Sequence, residues 1–240
     1  MGKYVLVIDE GTTGTRALIF DSDFNIAAQA YQEFTQYTPQ ENMVEHDAME
    51  IYAKSVGVCR EAIEKAGLSS DDIACMGITN QRNTCVIWDK NTGEPLYNAI
   101  VWQDSRTGQA VDAIKQTEWA EKILQETGKV IAPHNNALII KWYMDNVPEI
   151  KEKIDRGEAL YGTMDTWMIW KLSGGKTHAV SCSNASSSGC IDLRTGEWHK
   201  EFLDYVGVPM DIFPVIQSES SDYGTTDLFG SAIPITGAVA

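Results

Sequence analysis

At 240 residues and 43% hydrophobic content, the chain is long enough to bury a self-sufficient core without disulfide staples. Asp and Glu outnumber Lys and Arg by 34 to 19, and the net charge of −15 argues against a bulk nucleic-acid binder or a protein held by charge on an anionic membrane. A small anionic cofactor remains admissible, because backbone N–H groups and one Arg act locally while distant surface charge is screened beyond about 8 Å.

Tyr4–Asp9 is a near-continuous Val/Leu/Ile run, which predicts a strand buried on both faces, and Arg16–Phe20 predicts its hairpin partner across a Gly/Thr turn. Asn25–Phe34 reads as a third strand. Ala48–Ala66 carries Ile51, Val58, Ala62 and Ala66 at helical spacing, with Glu61 and Lys65 four apart, Asp47 as N-cap and Gly67 as the stop. Ile73–Thr79 and Cys85–Trp88 return to strand, and Lys90–Pro95 is a turn. Beyond Arg106 the pattern is mostly helical: Gln109–Glu126, Asn136–Asp145 and Glu149–Arg156 are amphipathic, and Thr166–Leu172 is a short apolar helix with Asp165 near its start. Ala179–Cys182 and Cys190–Leu193 read as strands and Glu197–Val206 as a helix. Val208–Pro214 is a Pro-punctuated turn leading to a last strand, Ile233–Thr236. Without repeats, low-complexity tracts or linkers, this order predicts one α/β domain with a helical insert.

Cys59, Cys75, Cys85, Cys182 and Cys190 are odd in number and form no CxxC pair, so they are expected to be reduced, mostly buried thiols of a cytoplasmic protein. The apolar run in MGKYVLVIDE is too short for a signal-peptide core, no run approaches the roughly 18 residues of a membrane span, and Leu6 occupies the position where myristoylation requires Ser or Thr.

Two polar clusters interrupt the hydrophobic pattern. In DEGTTGTR, Asp9 closes a buried strand and Gly11, Thr12 and Thr13 form a turn whose amides and hydroxyls could donate to phosphate oxygens, with Asp9 holding Mg²⁺ and Arg16 reaching the same anion. Taken alone, the motif fits an ordinary hairpin equally well, with Thr for β-propensity and Gly for positive φ. It is neither a Walker P-loop nor GxGxxG. In GITNQRNTCVIWD, Asn80, Gln81, Arg82 and Asn83 crowd a strand-to-strand connection, either facing a polar ligand walled by Trp102 of VWQDSR or forming a solvated turn beside a core Trp.

DEGTTGTR, GITNQR, VEHDAMEIYA, TGEPLYNAIVWQDSR, GTMDTWMIWKLSGG, SNAS and IPITG together resemble the N-terminal half of the FGGY carbohydrate kinases, and among these the glycerol kinases. The resemblance runs from about Val5 to the last residues. It implies a ribonuclease H-like domain of the actin and hexokinase superfamily, with a mixed sheet and a helical insert, over residues 1–240. It also implies a second lobe that closes over ATP, and phosphorylation of a primary hydroxyl of a small polyol or sugar. Asp9 matches the Mg²⁺-linked acid, Gly11, Thr12, Thr13 and Arg16 match the phosphate loop, and Arg82 and Trp102 match residues that line the glycerol site. The general base is expected beyond Ala240, so the isolated chain should fold without turning over, and the full-length protein is expected to be a homo-oligomer. A non-catalytic carbohydrate- or nucleotide-binding relative is the alternative.

Three positions depart from the glycerol kinase pattern. Asn83 stands where those enzymes have Glu, His134 where they have Tyr, and Ser187 where they have Arg. Asn donates as well as accepts and leaves Arg82 unneutralised, so a longer polyol or a ketose is expected to fit better than glycerol. His46, His178 and His199 are expected to be structural or surface residues.

Overall fold

The computed structural model describes residues 3–240. In chain order it contains β1 (Tyr4–Glu10), β2 (Gly14–Phe20), β3 (Ile26–Glu33), β4 (Glu45–His46), α1 (Ala48–Lys65), β5 (Ile73–Asn80), β6 (Cys85–Asp89) and β7 (Ala99–Ile100). Then follow α2 (Gly108–Ile114), α3 (Trp119–Thr127), α4 (Asn136–Asn146), α5 (Pro148–Asp155), β8 (Ala159–Thr163), α6 (Met164–Leu172), β9 (Ala179–Ser181) and α7 (Cys182–Ser187). The last elements are β10 (Ile191–Asp192), β11 (Glu197–Trp198), α8 (Lys200–Val206), β12 (Val215–Gln217), β13 (Thr225–Thr226) and β14 (Ile233–Val239).

The main sheet has the order β13-β14-β5-β1-β2-β3. The first three strands form an antiparallel meander, while β5 and β14 run parallel to β1. This places the carboxyl ends of β1 and β5 side by side, with Asp9 opposite Thr79 and Glu10 opposite Asn80. In open α/β sheets such ends are where ligands sit. Helix α1 covers one face. Its start is fixed by the Asp47 carboxylate, which accepts from the amides of Met49 and Glu50 at 2.8 and 3.1 Å. Ile51, Val58 and Ala62 are fully buried against the sheet, and Glu61 pairs with Lys65 at 2.7 Å on the outside.

A second sheet, β4-β7-β6-β8, separates two apolar cores. Successive side chains of a strand point to opposite faces. Val86 and Trp88 of β6 therefore enter the core beneath the main sheet, while Cys85 and Ile87 enter the core formed by the helices after β7. That is why CVIW reads as a continuous apolar run.

Several elements differ from expectation. Residues 109–126 form two helices, because the helical ladder gives way to three-residue turn bonds, Gln116 to Ala113 and Thr117 to Ile114, over residues 115–118. Residues 159–163, unassigned from the sequence, form β8, paired along the whole of β6. Glu197–Trp198 pairs with β10, so the helix expected from Glu197 starts at Lys200. SNASS forms α7, capped by Ser181, and Asp165 lies in the first turn of α6, whose N-cap is Thr163. Cys59, Cys85 and Cys190 are buried, Cys75 is half-buried, Cys182 is exposed, and all five are free. Among the described residues no helix is long and apolar enough to cross a membrane.

Candidate active site

Residues 11–13 connect β1 to β2, and the turn is closed by the Gly11 amide donating to the Gly14 carbonyl at 3.0 Å. A Cβ at Gly14 would stand 2.6 Å from the Gln32 carbonyl oxygen and 2.5 Å from the Tyr31 hydroxyl, so only glycine allows β3 to pass this close. Asp9 and Arg16 are direct cross-strand partners and project from the same face of the sheet. The Arg16 guanidinium lies 5.7 Å from the centre of the Tyr31 ring.

Glu10 projects from the opposite face, fully buried under α1. Its Oε1 accepts from the hydroxyls of Thr15, at 2.7 Å, and Ser55, while its Oε2 has no partner among the described residues. Burial, reinforced by the Asp9 charge, outweighs those hydrogen bonds and raises its pKa to about 7. Below pH 7 it is mainly the neutral acid, so it adds little negative charge beneath the turn.

A chain of amides and one imidazole holds the turn from behind. Gln81 Nε2 donates to the Gly11 carbonyl at 3.1 Å, and Gln36 Nε2 donates to the Thr12 carbonyl at 3.0 Å. His46 bridges the two, its Nε2 lying 2.6 Å from Gln36 Oε1 and its Nδ1 3.4 Å from Gln81 Nε2. An amide oxygen can only accept, so Nε2 carries the proton and Nδ1 accepts from Gln81. The Thr84 hydroxyl occupies Gln81 Oε1 at 2.8 Å, which fixes the orientation of that amide. Burial lowers the His46 pKa to about 4, keeping the neutral tautomer that this chain requires.

A cleft of about 470 Å³ opens beyond the ends of β1 and β5 and brings together Thr12, Arg82, Asn83, Trp102, His134 and Ser187. Trp102, 45% exposed, walls it and donates from Nε1 to the Thr12 hydroxyl at 3.0 Å. Asn83 adopts φ = 64°, a left-handed conformation that Asn tolerates better than most side chains. Its carbonyl accepts from Asn136 Nδ2 at 2.9 Å, while its buried Oδ1 has no partner among the described residues. Burial, then the nearby Lys129 charge, lowers the His134 pKa and favours its neutral form. The Ser187 hydroxyl turns back to the Asn184 carbonyl at 2.9 Å.

Asp9, Gly11, Thr13 and Arg16 lie outside this cleft, and Thr12 is the member of the turn that also lines it. Asn80 and Gln81, expected to face a ligand, also line the cleft, with their side-chain amides bonded within the protein. Asn80 forms a reciprocal amide pair with Asn184 at 3.0 and 2.9 Å, and Gln81 holds the Gly11 carbonyl. The sequence reading missed Lys129, which lines the cleft from the loop between α3 and α4, and the supporting roles of Gln36, His46 and Glu10. His46 and Gln81 stand inside quoted motifs, but nothing in the local sequence marks Lys129.

The family model described as the FGGY family of carbohydrate kinases, N-terminal domain, matches residues 4–237. The chain belongs to this family. It is 46% identical over 237 residues to the glycerol kinase of Brachyspira hyodysenteriae, covering 99% of this chain and 48% of that protein. It is 44% identical over 237 residues to glycerol kinase 2 of Thermotoga maritima, covering 98% and 48%. The crystal structure of Plasmodium falciparum glycerol kinase with ADP superposes with a TM-score of 0.91 at 32% identity, over 100% of this chain and 49% of that one. The chain thus spans about half the length of the curated relatives it matches. Its mixed sheet is that of the actin- and hexokinase-like sugar kinases, as the resemblance implied. Within this FGGY domain, the DEGTTGTR turn and the Arg82–Trp102 cleft meet at Thr12.

Proposed function

We propose that this FGGY domain supplies the phosphate turn and the acceptor cleft of an ATP-dependent kinase that phosphorylates a primary hydroxyl of a small polyol or sugar. The observation that carries the reading is the position of Thr12, which belongs to the turn and lines the cleft, so a phosphoryl donor at one adjoins a hydroxyl at the other.

Asp9 fits Mg²⁺. No group of three or more His, Cys, Asp or Glu among the described residues is arranged to hold a metal alone, and Mg²⁺ is commonly held by one or two carboxylates with water and phosphate oxygens. Bound there with ATP, the ion would neutralise phosphate charge. The Thr12 and Thr13 hydroxyls, the turn amides and Arg16 orient the phosphates, held in place by Gln36 and Gln81. Arg82 and the Asn83 and His134 side chains orient the acceptor, and the Trp102 indole excludes water from one wall. Transfer forms the bond from acceptor oxygen to the γ-phosphorus and breaks the bond to the β,γ-bridging oxygen of ATP. The acceptor proton leaves to a base contributed by a second lobe, whose closure completes the site.

The test is acceptor-dependent release of ADP by the full-length enzyme. Turnover that rises with a polyol or sugar, and an Arg82→Ala variant that loses at least about tenfold in kcat/KM for that acceptor, support the reading. Saturable acceptor binding without ADP release would instead indicate a non-catalytic binding relative. The 240 residues, which span about half the length of the curated relatives, are expected to give no turnover by themselves.

A further inference from the structure

The charge of the cleft is unusual for a site that takes a neutral acceptor. Arg82 and Lys129 both line it, and no Asp or Glu does. Neither cation takes part in any ion pair among the described residues. Other cations are held differently: Arg106 is clamped by Glu45 at 2.8 Å and Asp104 at 2.7 Å, Lys153 by Asp89 at 2.6 Å, and Lys171 lies over the Tyr52 and Trp167 rings. Arg82 is exposed and Lys129 half-buried, and what sets them apart from the other unpaired cations is that they line one concave site together. Like charges sharing a cleft repel each other and focus a positive potential into it, and an anion relieves that cost.

The neutral groups of the same cleft suit hydroxyls. The unpartnered Asn83 Oδ1 accepts, neutral His134 offers one donor and one acceptor, and Thr12, whose hydroxyl accepts from Trp102, lines the cleft from the turn. Lys129 stands near His134, as its effect on that imidazole indicates. The phosphate turn has a cation of its own in Arg16.

We propose that the acceptor itself carries a negative charge, as a hydroxy acid or a polyol monophosphate, with its anionic end held by Lys129 and Arg82 and its primary hydroxyl facing Thr12. This rests on the kinase reading above and narrows its substrate class. Lys129 is then a specificity-determining residue, selecting for charge where Asn83 and His134 select for hydroxyl pattern.

Initial rates of the full-length enzyme with Mg-ATP test this on matched trios of equal carbon number: a neutral polyol, its terminal carboxylic acid and its monophosphate. One charged member should exceed the neutral one in kcat/KM by about tenfold or more, and the trio shows whether carboxylate or phosphate is preferred. Lys129→Met should cut that ratio by about tenfold or more, while Lys129→Arg largely preserves it. Because the readout is a ratio between acceptors, partial loss of active protein does not affect it. A preference for the neutral member in every trio, or a Lys129→Met variant that slows all three equally, would overturn the inference. So would a rise in KM for ATP alone, since Lys129 would then serve the donor. In each of those outcomes the kinase reading survives. Absence of transfer to any acceptor would remove both.

Discussion

Acidification from pH 7 to pH 4 should act on His46, which holds the β1–β2 turn from behind. His46 is fully buried, with both ring nitrogens engaged: Nε2 donates to Gln36 and Nδ1 accepts from Gln81. A second proton on Nδ1 would face the Gln81 amide donor, and the charge would lie beside the edge-packed Phe34 ring, 4.9 Å away. Burial therefore depresses its pKa from 6.5 to about 4. Between those values the unfolded chain holds a proton that the folded chain does not, so stability rises with pH across the window. It is fully present above pH 6.5 and is lost as pH falls towards 4. At about 1.4 kcal/mol per pKa unit, the loss is about 3 kcal/mol. His46→Gln replaces the imidazole with a group that never titrates. Urea denaturation followed by tryptophan fluorescence, on both proteins at half-unit steps from pH 4 to pH 8, gives the stability gap at each pH. Any group common to both cancels in that gap. The variant should be less stable by about 1–2 kcal/mol at neutral pH, having lost a hydrogen bond and ring packing, and the gap should close or reverse by pH 4. A gap that stays constant from pH 4 to pH 8 would refute the neutral, bridging role of His46.

Glu10 has the opposite sign. With its pKa raised from 4.5 to about 7, the folded metal-free protein holds a proton that the unfolded chain has lost, so stability falls as pH rises through that window. Glu10→Gln, which mimics the protonated acid, should match the parent near pH 4.5 and exceed it by about 3 kcal/mol above pH 7 in the same denaturation assay. In the full-length enzyme, Asp9→Asn should lower kcat by about 10² or more while leaving the thermal transition in place, and near-normal turnover would reduce the turn to a hairpin. Gly14→Ala, whose Cβ would stand 2.6 Å from the Gln32 carbonyl, should cost about 1–3 kcal/mol in denaturant titration and slow phosphoryl transfer by displacing the turn.

What was legible in the sequence follows from how local each signal is. β1 and β2 announce themselves as apolar runs, and α1 by its spacing, its Asp47 cap and the Glu61–Lys65 pair, all within a few residues. β8 was not legible, because Ala159–Thr163 contains Gly162 and little alternation, and its identity as a strand comes from pairing with β6 and burial between two cores. Helix α7 contradicts the helix propensities of Ser and Asn. It is held instead by the Ser181 cap and the amide pair between Asn184 and Asn80, which lie 104 positions apart. The same distinction divides the site. Thr12, Arg82, Asn83, Trp102 and His134 were found through motifs and meet in one cleft. The bonding of the Asn80 and Gln81 amides within the protein, and the arrival of Lys129 from a loop after α3, depend on contacts distant in sequence.

The central claim is that a phosphoryl group passes from ATP to a primary hydroxyl at the cleft beside Thr12. Phosphorus NMR of the full-length enzyme with Mg-ATP and a panel of polyols, sugars and their acids observes that bond directly. The account predicts a new phosphate monoester signal, split by coupling to a CH₂ group, growing in step with ADP and slowed at least about tenfold by Arg82→Ala at subsaturating acceptor. ADP appearing only with inorganic phosphate, or no monoester with any acceptor in the panel, would contradict it.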